Sequence, residues 1–92
     1  MIQDFYADWC AACIELDERT WNDPEVLAET RRFTAVKMDF THRDEFSRAA
    51  TERYEVRGMP TVILYDSAGN EAARFVGFKS ARDVLAVLRS IR

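Results

Sequence analysis

The sequence predicts an α/β fold: a mixed four-stranded sheet with helices on both faces, in the order β-α-β-α-β-β-α. Three observations carry this reading. Runs of β-prone, apolar residues at 1–7, 33–40 and 61–66 are separated by segments of helical periodicity, as strand–helix–strand crossovers require. Helix-start signals stand where the period changes, at Asp23-Pro24, at Thr41 with Asp44, and at Ser80 with Asp83. The stretch "SAGN" (67–70) separates two strand-like runs closely enough to make them a hairpin.

Taken in order, "MIQDFYA" (1–7) reads as a strand, with Asp4 an acid in an otherwise buried-looking run. From Cys10 the pattern turns helical through about Arg19. Asp23 then serves as an N-cap with Pro24 at the first helical position of a second short helix that runs to about Arg31. "FTAVKMDF" (33–40) alternates as a strand. Thr41 and Asp44 have capping-box spacing ahead of an apolar face of Phe46, Ala49, Ala50 and Tyr54. "TVILYD" (61–66) is continuously apolar and therefore central, and "EAARFV" (71–76) returns as its hairpin partner. A last helix from Ser80 puts Val84, Leu85, Leu88 and Ile91 on one face. Parallel crossovers come first and the antiparallel hairpin last.

Residues 1–92 are expected to form a single domain, a size that buries about two-thirds of the unfolded surface. With 48% hydrophobic and 32% charged residues, the composition excludes disorder. A net charge of −3, with Arg31-Arg32 no more than a pair, gives no reason to expect nucleic-acid binding. No apolar run approaches the roughly 20 residues of a membrane span, and no basic-then-apolar leader is present. The expectation is a soluble chain that could equally be one piece of a larger, exported or membrane-bound parent.

Cys10 and Cys13 are the only cysteines. As a staple they would close a four-residue loop, for about 2 kcal/mol against nearly 5 for a loop of 100 residues, a poor use of the pair. A structural zinc needs four ligands, and His42, at a strand-to-helix junction, is the sole further candidate of that kind. His42 reads as a surface residue, and no metal is expected. Redox chemistry fits best: a CxxC opening a helix after a strand, inside a βαβ pattern, is the thioredoxin-like signature. One helical turn brings the two Cα atoms to about 5–6 Å, within reach of a disulfide. Cys10 at the helix start faces free backbone N–H groups that favour a thiolate, and so is the expected nucleophile. Cys13, a turn deeper, is placed to resolve the mixed disulfide. The dithiol itself is then the only redox group required.

Around the pair, "VRGMPT" (56–61) puts Met59-Pro60 immediately before an apolar strand. A loop proline fits that spacing as well as a cis-proline packed beside Cys10 with the Met59 backbone left to pair with a substrate; the CxxC upstream favours the second. Asp17 lies seven residues after Cys10 and four after Cys13, on the cysteine face of a regular helix. Asp4 sits where an acid is costly unless it serves something. Both are expected to tune the cysteine pKa. Trp9, next to the nucleophile, is expected to help bury a docked partner, whereas Trp21 reads as core. Gly77 permits the turn from the last strand into the last helix.

Taken together, "DFYADWCAAC", "RTWNDPEV", "VRGMPT" and "FVGF" resemble the C-terminal thioredoxin-like domain of the thiol:disulfide interchange protein DsbD over essentially all of the chain. The resemblance implies a thioredoxin-like fold and a periplasmic domain of an inner-membrane protein. It implies that electrons arrive from a membrane-embedded partner and pass to another periplasmic domain, ultimately reducing disulfide isomerases and cytochrome c maturation proteins. Cys10 and Cys13 match the family's pair, Pro60 its cis-proline, and Asp4 and Asp17 two nearby carboxylates, although Glu often stands at the latter position. Family members normally carry another strand and helix before the position of Met1; a minimal version without them would leave residues 34–40 as an exposed sheet edge. Two other readings accompany this one: a free-standing, cytoplasmic or exported thioredoxin-like reductase, and a non-catalytic binding module on the same fold.

Overall fold

The computed structural model describes residues 1–91. Strand β1 (Ile2–Tyr6) leads into α1 (Ala11–Glu15), which continues as a π-helical segment (Leu16–Trp21); α2 (Pro24–Thr30) and β2 (Ala35–Asp39) follow. Then come α3 (Glu45–Tyr54), β3 (Thr61–Tyr65), β4 (Glu71–Val76) and α4 (Ala81–Ser90). The sheet order is β2-β1-β3-β4. β1 runs parallel to β2 with Asp4 opposite Lys37, and antiparallel to β3 with Asp4 opposite Val62. Only the first crossover is therefore parallel. β3, expected from its apolar run to be central, does lie between β1 and β4.

Alternation along the two central strands divides the interior. Ile2, Val62 and Leu64 pack with Leu16, Val26, Val84 and Leu88 from the π segment, α2 and α4. Phe5 and Ile63, on the opposite face, pack with Phe40, Ala50 and Val56. Phe5 stacks edge-on against Phe40 at 5.3 Å between ring centroids. Leu88 is fully buried, and its truncation to Ala would cost about 2–5 kcal/mol. The glycines at 69 and 77 both have positive φ, 84° and 86°, which makes the hairpin turn and the exit from β4 glycine positions.

Three local expectations need correction. The helix from Cys10 does not stay α-helical to Arg19, because at Leu16 it widens to π geometry. An i→i+5 turn holds more than four residues, so Leu16, Thr20 and Trp21 can all turn inward. Leu16 and Thr20 are buried, the Thr20 hydroxyl donates to the Lys79 carbonyl, and Trp21 packs on the same core. The cap of α3 is Asp44, not Thr41: its carboxylate accepts from Ser47 N–H at 2.8 Å while Ser47 Oγ accepts from Asp44 N–H at 3.0 Å. That later start rotates the inward face to Ser47, Ala50 and Tyr54 and leaves Phe46 57% exposed.

Candidate functional site

β1 ends at Tyr6, and the chain turns through Ala7 to place Cys10 as the N-cap of α1, where its Sγ accepts the Cys13 N–H at 3.2 Å. Cys10 and Cys13 form a disulfide with their Cα atoms 5.2 Å apart, within the range the bond needs. Both residues are buried, yet they differ in access. Cys10 lines a groove of about 750 Å³ between this corner and α3, and Cys13 does not.

Across the groove mouth, Met59 packs against the cysteine pair, and the Met59–Pro60 peptide is cis. Pro60 is fully buried, and its carbonyl accepts the Gly77 N–H at 2.9 Å, which ties the loop to the end of β4. A Cβ on Gly58 would stand 3.2 Å from Val76 Cγ1, so glycine lets the loop lie close to that strand. Among the described residues, neither the N–H nor the C=O of Met59 has a backbone partner. A peptide laid across Met59 could pair with both.

Trp9 is 61% exposed at the rim, and its indole N–H donates to the Thr41 carbonyl at 2.9 Å. Thr41 also accepts the Asp8 N–H through its hydroxyl at 3.0 Å and donates that hydroxyl to Asp39. Those Thr41 hydrogen bonds hold the Asp39 carboxyl below its ordinary range. The junction between β2 and α3 thus fixes the tryptophan's plane. Sequence spacing carries no sign of this: Thr41 is 32 residues from Trp9 and looked like a helix cap.

Asp4 lies on the sheet face covered by the π segment, α2 and α4, 5% exposed, and its Oδ1 has no hydrogen-bond partner. Burial pushes its carboxyl up from 3.8 to about 6, a rise that the Lys37 ammonium opposes and the Asp17 carboxylate reinforces. Asp17 itself is gripped by Lys37 Nζ at 2.9 and 3.0 Å. The two acids named from sequence therefore lie within electrostatic reach of each other, with one lysine acting on both. Trp21 Nε1 is likewise buried without a partner, and the ring lines a small hollow beside β2 that Asp4, Asp17 and Lys37 also line. His42 is exposed, and among the described residues no group of three or more His, Cys, Asp or Glu side chains gathers as a metal site would need.

A cysteine pair opening a helix, a cis-proline loop against it, and a mixed sheet joining the two define a thioredoxin-fold dithiol–disulfide domain. The chain belongs to the thioredoxin-like domain family, which it matches over residues 1–92. It is 36% identical over 88 residues to the thiol:disulfide interchange protein DsbD of Pectobacterium atrosepticum, covering 94% of this chain and 15% of that protein. The DsbD of Vibrio vulnificus is 36% identical over 90 residues, 96% of this chain and again 15% of the relative. The chain thus spans only a small part of these curated relatives. Among solved structures, the oxidised C-terminal domain of Neisseria meningitidis DsbD superposes with a TM-score of 0.88 at 29% identity, over all of this chain and 79% of that one. A thioredoxin from Thermus thermophilus shares the fold, with a TM-score of 0.80 at 24% identity over 97% of this chain and 70% of that one.

Proposed function

We propose that this domain is a protein-disulfide reductase that relays electron pairs by dithiol–disulfide exchange through Cys10 and Cys13. The observation that carries the assignment of roles is the unequal access of the two sulfurs: Cys10 opens onto the groove, and Cys13 is shut behind it. In the reduced domain, the Cys10 thiolate attacks a partner disulfide and forms a mixed disulfide, releasing one partner thiolate. The Cys13 thiolate then attacks Cys10 Sγ, which closes the Cys10–Cys13 disulfide and releases the second partner thiolate. Two electrons pass to the partner, and the domain ends oxidised. Met59 presents its free backbone groups to the partner chain, Pro60 holds that loop in place, and the exposed face of Trp9 covers the docked segment. Asp4 and Asp17 act on the pair as nearby anions that disfavour a thiolate.

Likeness to DsbD supports a place in a longer chain, as a periplasmic domain of an inner-membrane protein that draws electrons from a membrane-embedded donor and delivers them to other periplasmic domains. No helix among the described residues is long and apolar enough to cross a membrane, so such a donor would be another part of that chain.

Trapping tests the roles. Cys13→Ser should accumulate a covalent adduct with a disulfide substrate on non-reducing gels, and Cys10→Ser should accumulate none. Equal trapping by both variants would overturn the order of attack; trapping by neither, with no oxidisable thiol pair in the wild type, would leave a binding module.

A further inference from the structure

The groove beside Cys10 carries charge that the sequence scatters and the fold collects. Arg43, Arg48 and Arg57 all line it, in a chain whose net charge is −3. Among the described residues, none of the three guanidinium groups forms an ion pair or donates a hydrogen bond, whereas Arg19, Arg32, Arg74 and Arg89 all meet carboxylates. Along α3 itself the charges are ordered. Arg43 and Arg48 stand at the start of α3, the end to which Trp9 is tied through Thr41. Glu52 and Glu55, which line the same groove, come one and two turns later on α3. Asp44, between the two arginines in sequence, is engaged as the helix cap.

We infer that this groove selects partners whose segment next to the attacked disulfide carries an acidic side chain, seated between Arg43 and Arg48 at the Trp9 end. The inference rests on the oxidoreductase reading above and adds the chemistry of the partner. Its physical basis is complementarity. A carboxylate docked there meets two guanidinium groups free of other partners, whereas towards Met59 the single Arg57 shares the groove with Glu52 and Glu55. The floor beneath, Phe40 and Val56, is apolar and buried, so the docked segment displaces water and the ion pairs are less screened than on open surface. The acidic side of the partner segment lies towards Trp9, where two arginines stand, while at the opposite end Arg57 is offset by Glu52 and Glu55.

Three synthetic disulfide-bridged peptides that differ only in the flanking residue, Glu, Gln or Lys, test this with the reduced 92-residue domain in single-turnover exchange. The wild type should react about tenfold faster with the Glu peptide than with the Gln peptide at low salt, the Lys peptide slowest, and the ratio should shrink at 0.5 M salt. In Arg43→Gln/Arg48→Gln the Glu-to-Gln ratio should fall towards one, and in Arg43→Glu/Arg48→Glu the Lys peptide should become preferred. Because the readout is a ratio within one protein, a loss of folded material does not imitate it. Equal rates for the three peptides in the wild type, or an unchanged ratio in the variants, would overturn the inference and leave the reductase reading standing. Failure to reduce any of the peptides would overturn both.

Discussion

Lys37 stands directly across the parallel β1–β2 pair from Asp4, yet its ammonium grips Asp17 on the π segment, at 2.9 and 3.0 Å. Asp4 keeps an Oδ1 with no partner at all. The reason is reach and solvation. Lys37 and Asp17 are both about half exposed and can pair at the surface, whereas Asp4 is held inside on a central strand. Lys37 therefore stabilises the Asp4 anion only through space, and burial wins.

A pH-dependent stability follows from Asp4. Its folded-state pKa of about 6 lies above its ordinary 3.8, so between those values the folded protein holds a proton that the unfolded chain has released. Stability tied to this group is present below about pH 4 and is lost as pH rises through 6. Asp4→Asn should therefore be more stable than the wild type by up to about 3 kcal/mol at pH 7 to 8, with the difference vanishing near pH 4. Urea melts across that range would measure it. A constant difference at every pH would mean that packing, rather than ionisation, sets the effect.

Lys37→Met should extend the same window upward. Removing the ammonium takes away the one influence that lowers the Asp4 pKa, so the loss of stability with rising pH should be centred above that of the wild type. The exposed Lys37–Asp17 pair itself contributes at most about 1 kcal/mol. In the Asp4→Asn background the shift in pH midpoint should disappear. A shift that persisted there would point to a different titrating group.

Much of this architecture could be read from the sequence, because the patterns that built it are local. β-prone residues at 1–7 and a continuous apolar run at 61–66 placed Ile2, Phe5, Val62 and Ile63 in strands, and Asp23-Pro24 and Ser80 started α2 and α4 where expected. The cysteine pair was legible because its spacing is itself the chemistry; the cis-proline after Met59 fitted its spacing no better than a loop proline and was read from the CxxC upstream. What escaped depended on contacts between distant segments. The π widening at Leu16 answers to Thr20 reaching Lys79. Thr41 does its work on Trp9 and Asp8, and it gave the cap of α3 to Asp44. Arg43, Arg48 and Arg57 form no run in the sequence, and Val76 approaches Gly58 only once β4 has paired with β3.

Glu55 closes α3 with φ 53° and ψ 50°, the left-handed conformation that helix ends commonly give to glycine. A side chain there costs roughly 1 kcal/mol in backbone strain. Glu55→Gly should remove that strain at the expense of some unfolded-state entropy, for a net gain of a few tenths to about 1 kcal/mol. The Glu55 carbonyl that accepts from Arg74 Nη1 is retained, and only the carboxylate's through-space attraction for the Arg74 guanidinium is lost. Thermal or urea melts at pH 7 would register the gain, and a destabilised variant would show that the Glu55 side chain makes a contribution larger than its strain.

Electron flow should run outward from this domain, as a reductant. Strong oxidants of this fold stabilise the thiolate of the reduced form, so a low cysteine pKa and an oxidising potential go together. A histidine between the cysteines is one way to do so. Here Ala11 and Ala12 occupy those positions and bring neither charge nor side-chain donors. The Cys13 N–H does reach Cys10 Sγ at 3.2 Å, a donor any helix start provides. In the role proposed for them, Asp4 and Asp17 oppose it, since a negative charge near the pair disfavours a thiolate and so favours the disulfide. About 30 mV corresponds to roughly 1.4 kcal/mol in this two-electron couple, so a modest electrostatic difference is readable. The potential should lie nearer the roughly −270 mV of thioredoxins than the roughly −120 mV of the strongest oxidants. Asp4→Asn should move it in the oxidising direction, with thiolate absorbance appearing at lower pH than in the wild type; Asp17→Asn should do the same by less. Equilibration in glutathione buffers checks both statements. A Cys10–Cys13 pair that stays reduced in a buffer that oxidises thioredoxin would make the domain an oxidant or isomerase, and an Asp4→Asn potential unchanged or more reducing would uncouple the buried acid from the cysteines.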